Sequence, residues 1–216
     1  MRRPRRSLTL IAGPVSEPVT LADAKTWARI DDDSSDTLIS QLITSARMAA
    51  EEYLRRALMT QTHKLTLDLC GSPLGMNWNE GVYDLPVTAL YGGLPQTIEL
   101  PKGPVQSINS VTTYDLNDIP SLYGGGNYHI DAAGERLVLN YAALWPASLR
   151  PVAACEVTYV AGYGDAAAVP QPVKTGILIH VASIYEQRGN CDDAMALPPG
   201  TAQLYNQYRI MGDRLG

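Results

Sequence analysis

Residues 36–56 carry the longest amphipathic pattern in the sequence, and this pattern most restricts what the chain can fold into. Apolar and small side chains recur there at i, i+3, i+4 and i+7, which predicts a helix with one apolar face. Asp36 lies in the predicted first turn, and Arg55 and Arg56 lie in the last, where each charge favours the helix dipole. We call this predicted helix (36–56) α2 and its apolar face the α2 stripe, which consists of Leu38, Ile39, Leu42, Ile43, Ala46, Ala49, Tyr53 and Leu54. An isolated helix cannot bury such a stripe, so it requires packing partners.

Two further helices are predicted around this one. Thr20 followed by Asp23 forms a capping-box pattern that begins a helix over about 20–30. One face of that helix is marked by Leu21, Ala24, Trp27 and Ala28. Pro172 suits the first turn of a helix over 171–188, where Val173, Ile177, Val181 and Ile184 recur at helical spacing. The acidic run 31–33 is interpreted as a solvated turn between the first two helices, in preference to a cation site.

The sequence period changes from helical to two between the second and third helices. His63, Leu65, Leu67 and Leu69 alternate with polar residues, which predicts a half-buried strand. Turn signals separate further predicted strands at 97–100, 105–114, 128–130, 136–141 and 155–160. The predicted fold class is α+β, with a helical core of three main helices plus a C-terminal tail and an inserted, mostly antiparallel β domain.

Three ranges describe the predicted domain organisation. Residues 1–58 form the first part of the helical core and carry a basic N-terminal tail with Arg2, Arg3, Arg5 and Arg6. Residues 59–165 form the β insertion domain. Residues 166–216 supply the last helix of the core and a C-terminal tail that binds a partner.

Composition excludes several classes of protein. The chain has 17 basic and 22 acidic side chains, a formal net charge of −5, which disfavours a protein that grips nucleic acid over its whole surface. Three widely spaced cysteines suit a reducing compartment better than a disulfide framework. The apolar run after the N-terminal arginines is too short for an export signal, and no run is long enough for a transmembrane helix. We therefore expect a soluble, unexported protein without a membrane partner.

No residue pattern for catalysis, cofactor binding or metal binding emerges. The three histidines, His63, His129 and His180, lie outside any metal-ligand spacing, and no serine occupies a nucleophile-elbow motif. His63 and His180 are interpreted as core or boundary residues, and the cysteines as small buried hydrophobes. We expect no catalytic residue, no cofactor and no metal, and hence a protein that is not an enzyme.

Several segments together resemble the head–tail connector (adaptor) proteins of long-tailed bacteriophages and prophage-derived gene transfer agents. The opening resembles the family in 17–25, 29–31 and the helix that holds Leu42-Ile43 and Ala46-Arg47. The helix-to-strand exit resembles it in Arg56-Ala57-Leu58-Met59-Thr60-Gln61-Thr62. Later similarities are Pro104-Val105-Gln106-Ser107-Ile108, Ala161-Gly162-Tyr163-Gly164, Val169-Pro170, Tyr185-Glu186-Gln187-Arg188 and Leu204-Tyr205-Asn206-Gln207-Tyr208-Arg209. Gln207 stands where the family commonly has proline.

The resemblance implies a structural connector subunit. Such a subunit forms a homo-oligomeric ring, commonly of twelve copies, in the neck of a virion or gene transfer agent particle assembled in the bacterial cytoplasm. The ring docks beneath the portal protein and offers its other face to a stopper or tail terminator protein. Double-stranded DNA passes through its channel without sequence recognition. Twelve copies would carry a formal charge of 12 × −5 = −60, which would let DNA slide without adhering.

Two sets of residues are predicted to make these contacts. Pro198-Pro199-Gly200 breaks the chain after the last helix, and the aromatic and apolar residues beyond it suit a segment that orders on a partner. By the resemblance, that partner is the portal, contacted by Leu204, Tyr205, Tyr208, Arg209, Ile210 and Met211. Subunit packing is assigned to Leu38, Leu42, Ile43 and Tyr53, although these residues can also serve the subunit's own core. The alternative for the tail is that it folds back on that core.

A second function, from a different class, also fits the sequence. A β-rich tail or baseplate module could bind a surface glycan through aromatic rings in its loops. The candidate platform consists of Trp78, Tyr83, Tyr91 and Tyr123.

Overall fold

The computed structural model describes residues 6–69, 93–131, 133, 135–187 and 197–210 of the 216-residue chain. In this part of the chain there are four α-helices: α1 (Leu21–Ala28), α2 (Asp36–Leu54), α3 (Gln171–Glu186) and α4 (Thr201–Asn206). The strands are β1 (Arg6–Ala12), β2 (Gln61–Leu67), β3 (Thr97–Glu99), β4 (Val105–Tyr114), β5 (Pro120–Leu122), β6 (Tyr128–Asp131), β7 (Arg136–Leu139) and β8 (Cys155–Ala161).

The strands form two antiparallel sheets. The larger sheet has the strand order β1-β2-β8-β4-β5, and the smaller has the order β3-β7-β6. Strand β8 lies at the centre of the larger sheet, where Val157 is paired with Leu65 of β2 on one side and with Val111 of β4 on the other. These three side chains are fully buried. The alternation of apolar and polar residues along β2 and β8 therefore places one face of the sheet in a core.

Two clusters of buried side chains correspond to the β part and the helical part. The first holds residues of both sheets, so the two sheets share one core; it includes Leu65, Leu67, Ile98, Val111, Leu137 and Tyr159. The second is built by all four helices and by residues just after α2; it includes Ala24, Ile39, Ile43, Leu58, Ile177 and Tyr205.

A buried polar junction joins the two parts at the end of α2. One oxygen of the Glu51 carboxylate accepts hydrogen bonds from the Leu58 N–H at 2.9 Å and from the Gln61 side chain at 2.5 Å. Its other oxygen accepts one from Arg47 Nη1 at 2.8 Å, and Arg47 Nε also contacts Glu17 at 2.7 Å. Burial raises the pKa of Glu51, whereas the Leu58 N–H and Arg47 act in the opposite direction. This network fixes the start of β2 relative to α2.

The predicted α+β class is confirmed, and the predicted elements lie where the sequence periods change. The capping box of α1 is present, because the Thr20 hydroxyl accepts from the Asp23 N–H and the Asp23 carboxylate accepts from the Thr20 N–H. The strand predicted at 105–114 has the same bounds as β4, and the other predicted strands correspond to β2, β3, β6, β7 and β8.

Two expectations at the N-terminal end were wrong. Arg6, assigned to the basic N-terminal tail, begins β1 (residues 6–12), a strand that was not predicted and that pairs with β2 from Arg6 opposite Leu67 to Leu10 opposite His63. Trp27 was assigned to the apolar face of the first helix, yet 48% of it is exposed. Only Ala24 is fully buried on α1, because the helix is short and lies at the edge of the helical cluster. The division into three domains stays a prediction.

Candidate subunit and portal interfaces

The predicted subunit-packing residues lie at different depths in the α2 stripe. Ile43 is only 3% exposed and belongs to the core of the subunit itself. Leu42 and Tyr53 are half-buried and pack against that core, whereas Leu38 is 38% exposed. The stripe therefore serves the subunit core first. Of the four residues, Leu38 offers the most surface to a neighbour.

Tyr205 anchors the C-terminal segment (residues 197–210) to the subunit's own helices. Its side chain is 0% exposed, and its ring occupies the space that a side chain at Gly176 of α3 would take. A Cβ built on Gly176 would lie 2.3 Å from the Tyr205 ring, so the close approach depends on glycine at that position. Burial raises the pKa of the Tyr205 phenol. The ring is a core residue in this arrangement.

Tyr53 contacts the same segment from α2. Its hydroxyl donates to the Asn206 side-chain oxygen at 2.8 Å, and its ring centroid lies 5.9 Å from that of Tyr205. The Arg209 guanidinium lies over the Tyr53 ring at 4.7 Å from the ring centroid, a cation–π arrangement. The structure thus brings one predicted subunit-packing residue together with two predicted portal-binding residues within one subunit.

Residues beyond α4 continue along the end of α2. The Ile210 N–H donates to the Leu54 carbonyl at 3.1 Å, and Ile210 is buried. Arg56 Nε donates to the Tyr208 carbonyl at 2.7 Å. These two hydrogen bonds to the main chain of residues 208–210 hold that segment against the subunit. We call residues 208–210 the strap.

Residues 201–210 pack on the subunit's own core, which is the alternative given above for the tail. Tyr205 belongs to that core and Ile210 is buried, while Leu204, Tyr208 and Arg209 are half-exposed, with Leu204 and Tyr208 packed against the core. Met211 lies outside the described residues. The assignment of all six residues to portal binding stays a prediction.

One cleft contains ionisable side chains next to apolar ones. It has a volume of about 280 Å³ and is lined by Leu8, Leu10, Pro14, Arg47, Met48, Glu51, Glu52, Ala57, Gln61, His63 and Lys102. Burial, with a contribution from Lys102, lowers the pKa of His63 to about 4, so the imidazole is neutral at physiological pH. Its two ring nitrogens lack hydrogen-bond partners among the described residues. The lining includes no serine, threonine or cysteine that this imidazole could activate as a nucleophile.

The remaining candidates for chemistry are packed or paired. Burial, with the Glu156 charge, raises the pKa of the Cys155 thiol to about 12, which suppresses the reactive thiolate. Cys70 and Cys191 lie outside the described residues. In the acidic turn, Asp33 and Asp36 both contact the Lys25 ammonium, at 2.5 and 2.8 Å, so one of their two negative charges is balanced within the subunit.

The described residues include neither a cluster of His, Cys, Asp and Glu suited to a metal ion nor a helix with the length and apolar character needed to span a membrane. His180 is buried in the helical core, and His129 bonds Asn140 at 2.7 Å on the surface.

The candidate glycan platform is not supported where the structure describes it. Tyr123 is buried, its ring centroid lies 4.7 Å from that of Trp145, and its hydroxyl donates to the Leu144 carbonyl. Tyr123 is therefore a core residue of the β part and offers no open face to a sugar. Trp78, Tyr83 and Tyr91 lie outside the described residues.

Comparison with known sequence families gives a significant similarity. Residues 18–121, just under half of the chain, match the model of the family described as phage gp6-like head-tail connector protein. The predicted family resemblance is confirmed. The matched connector region runs from the start of α1 through β5, so it includes α2 and the junction to the β part. No curated protein matches the sequence significantly.

Solved structures share this fold over nearly the whole chain. A chain in the neck of an empty gene transfer agent particle, computed with C6 symmetry, has a TM-score of 0.69 at 18% identity and covers 96% of this chain and 99% of its own. A chain from the virion of a native gene transfer agent has a TM-score of 0.65 at 19% identity, covering 96% and 98%. One from the neck of a native particle, computed with C12 symmetry, has a TM-score of 0.62 at 20% identity, covering 96% and 99%. At these identities the similarity establishes the fold.

Proposed function

We propose that this protein is a structural head–tail connector subunit that assembles into a ring in the neck of a phage or gene transfer agent particle. The observation that carries the proposal is the family match over residues 18–121, joined to a fold shared over 96% of the chain with a chain of a particle neck. The packed histidines and the buried Cys155 thiol fit a non-catalytic role.

Twelve copies are proposed for the ring. One of the similar structures comes from a neck computed with C12 symmetry, and a closed ring uses head-to-tail contacts that repeat around one axis. Exposed apolar side chains are available for such contacts, among them Leu10, Ile11, Leu38 and Met48. A net charge of −5 per subunit lets the ring surround DNA without binding it tightly.

Assembly on the portal tests this proposal. The full chain is mixed with purified portal rings and measured by native mass spectrometry. We expect portal rings with twelve bound copies, without a ladder of intermediate copy numbers. Negative-stain images should then show an annulus with a central channel below the portal. A protein that stays monomeric beside intact portal rings, or that binds them in scattered low copy numbers, would contradict the proposed function.

The half-exposed side of the C-terminal segment is proposed to contact the portal, and the opposite face of the ring to contact the stopper or tail terminator. Tyr208 and Arg209 present aromatic and guanidinium groups of the kind that dominate interface energetics. Tyr208→Ala and Arg209→Ala are each expected to weaken portal binding by roughly tenfold or more, because truncated hot-spot residues cost more than 1 kcal/mol.

The measurement is a titration of portal rings with each variant, beside a melting curve of the isolated subunit. Gln203→Ala, an exposed residue of α4 outside the predicted set, serves as the matched control and should bind like the wild type. Wild-type affinity in both Tyr208→Ala and Arg209→Ala would remove this segment from the portal interface while leaving the connector assignment intact.

A further inference from the structure

Arg56 joins the C-terminal segment to the smaller sheet. Its Nε donates to the Tyr208 carbonyl at 2.7 Å, and its Nη1 donates to Glu135 Oε1 at 2.8 Å. Glu135 belongs to the turn between β6 and β7. Because the guanidinium is planar and its N–H groups are fixed relative to one another, the two contacts constrain each other's geometry. A single side chain therefore connects two elements that are distant in sequence.

Glu135 is held firmly on its own side of this contact. Its side chain is only 7% exposed, and its carbonyl accepts from the Leu100 N–H at 2.9 Å. The carboxylate fills the space next to Gly103, where a Cβ would lie 2.2 Å from it. A close-packed carboxylate of this kind has little room to follow a moving partner. A shift of Arg56 is therefore transmitted to the turn.

The C-terminal side depends on the same guanidinium. Residues 208–210 form the strap along the end of α2, and the contact of Arg56 with Tyr208 stands next to the Ile210 N–H bond to Leu54. The chain at Arg56 is itself bridged to Lys102, one residue before Gly103. The strap, the end of α2 and the β6–β7 turn thus meet within one group of contacts.

We propose that Arg56 couples the strap to the β6–β7 turn, so that displacing residues 208–210 loosens the turn and weakening the Glu135 contact loosens the strap. Such coupling is reciprocal by thermodynamic necessity. A partner that binds the strap and displaces it would then loosen the β6–β7 turn in the smaller sheet of the same subunit. The coupling is a property of the single subunit, so it goes beyond the proposed function and does not depend on ring formation.

Amide hydrogen exchange of the isolated full chain tests the first direction. Glu135→Gln keeps the shape of the side chain but removes its charge. We expect the Ile210 amide to exchange at least about tenfold faster in this variant, within the usual range of coupling between sites. Glu52→Gln is the matched control, because it removes the charge from the nearby Glu52–Lys102 ion pair without touching Arg56. It should change the Ile210 rate less than about twofold.

The reverse direction uses a chain truncated after Gln207, which keeps α4 and the Tyr205 anchor. The Leu100 amide, which donates to the Glu135 carbonyl, is expected to exchange at least about tenfold faster there, since the coupling factor acts equally in both directions. Amides of the central strand β8 report global stability and should keep their wild-type rates in both variants. Arg56→Lys should reproduce both effects, because one ammonium cannot supply the two fixed contacts of the guanidinium.

The proposed coupling would be overturned if Glu135→Gln left the exchange rate of the Ile210 amide unchanged and the truncation left that of the Leu100 amide unchanged. The same conclusion would follow if Glu135→Gln and Glu52→Gln accelerated the Ile210 amide equally. Both outcomes would leave the connector assignment untouched, because neither variant is compared for ring assembly.

Discussion

Ile43→Asp is expected to lower the melting temperature of the isolated subunit by about 15 °C or more, or to abolish its cooperative unfolding. Losing the buried aliphatic side chain costs about 2–5 kcal/mol, and a buried carboxylate without a partner adds several more or takes up a proton. The sum approaches the whole free energy of unfolding of a typical domain, about 5–15 kcal/mol. One kcal/mol shifts the melting temperature by about 2–4 °C at this chain length. Thermal melts followed by circular dichroism measure the effect.

Leu38→Asp is the matched control on the same helix. Leu38 is 38% exposed and Ile43 is 3% exposed, so the same new charge meets water at one position and the helical core at the other. The Leu38 variant should melt within about 3 °C of the wild type, as surface changes usually do. If it nevertheless fails to form rings, Leu38 belongs to a subunit interface. Equal melting of both variants would show that the assigned buried face is wrong.

The helices and most strands could be predicted because their signals are local. The α2 stripe repeats at helical spacing over five turns, and the alternation at 63–69 changes to period two without ambiguity. The capping box of Thr20 and Asp23 requires only four consecutive residues. In each case the pattern lies within a short stretch of consecutive residues at the element it predicts.

Strand β1 was not predicted from its own residues. Arginines precede it and Gly13-Pro14 follows it, and most of its side chains are exposed. Its place in the sheet comes from main-chain pairing with β2, where Leu8 lies opposite Leu65. A strand at the edge of a sheet buries little, so its apolar alternation is weak, and the pairing partner is more than 50 residues away.

The location of the C-terminal segment also could not be predicted, because it depends on packing against helices that are distant in sequence. Its two tyrosines and three large aliphatics indicate burial, yet composition does not say whether the buried surface belongs to the subunit or to a partner. One signal was present in Gly176, in the middle of an otherwise apolar helix. Glycine weakens a helix interior by roughly 1 kcal/mol relative to alanine, so its presence there indicates that another element approaches closely. The approaching group is the Tyr205 ring.

Tyr205→Ala should therefore destabilise the subunit, whereas Tyr208→Ala should not. Removing a fully buried aromatic ring costs about 3–5 kcal/mol, because the cavity beside Gly176 can collapse only in part. At about 2–4 °C per kcal/mol, the melting temperature should fall by roughly 6–20 °C. Tyr208 is half-exposed at the edge of the helical core, and its carbonyl, which accepts from Arg56 Nε, is retained by alanine. The Tyr208 variant should stay within about 3 °C of the wild type, so that any loss of portal binding is a loss of interface.

Two truncations separate the anchor from the chain that follows it. A chain ending at Ile210 keeps Tyr205, the strap and the contact with Leu54, and it should melt like the full chain. A chain ending at Gly200 loses the Tyr205 ring from the helical core and should lose at least as much stability as Tyr205→Ala. The chain ending at Ile210 also tests function. Because it should stay folded, a loss of portal binding in this chain would show that residues 211–216 contact the portal. If the chain ending at Gly200 melts at the wild-type temperature, Tyr205 is not the anchor, and the C-terminal segment is free to order on a partner.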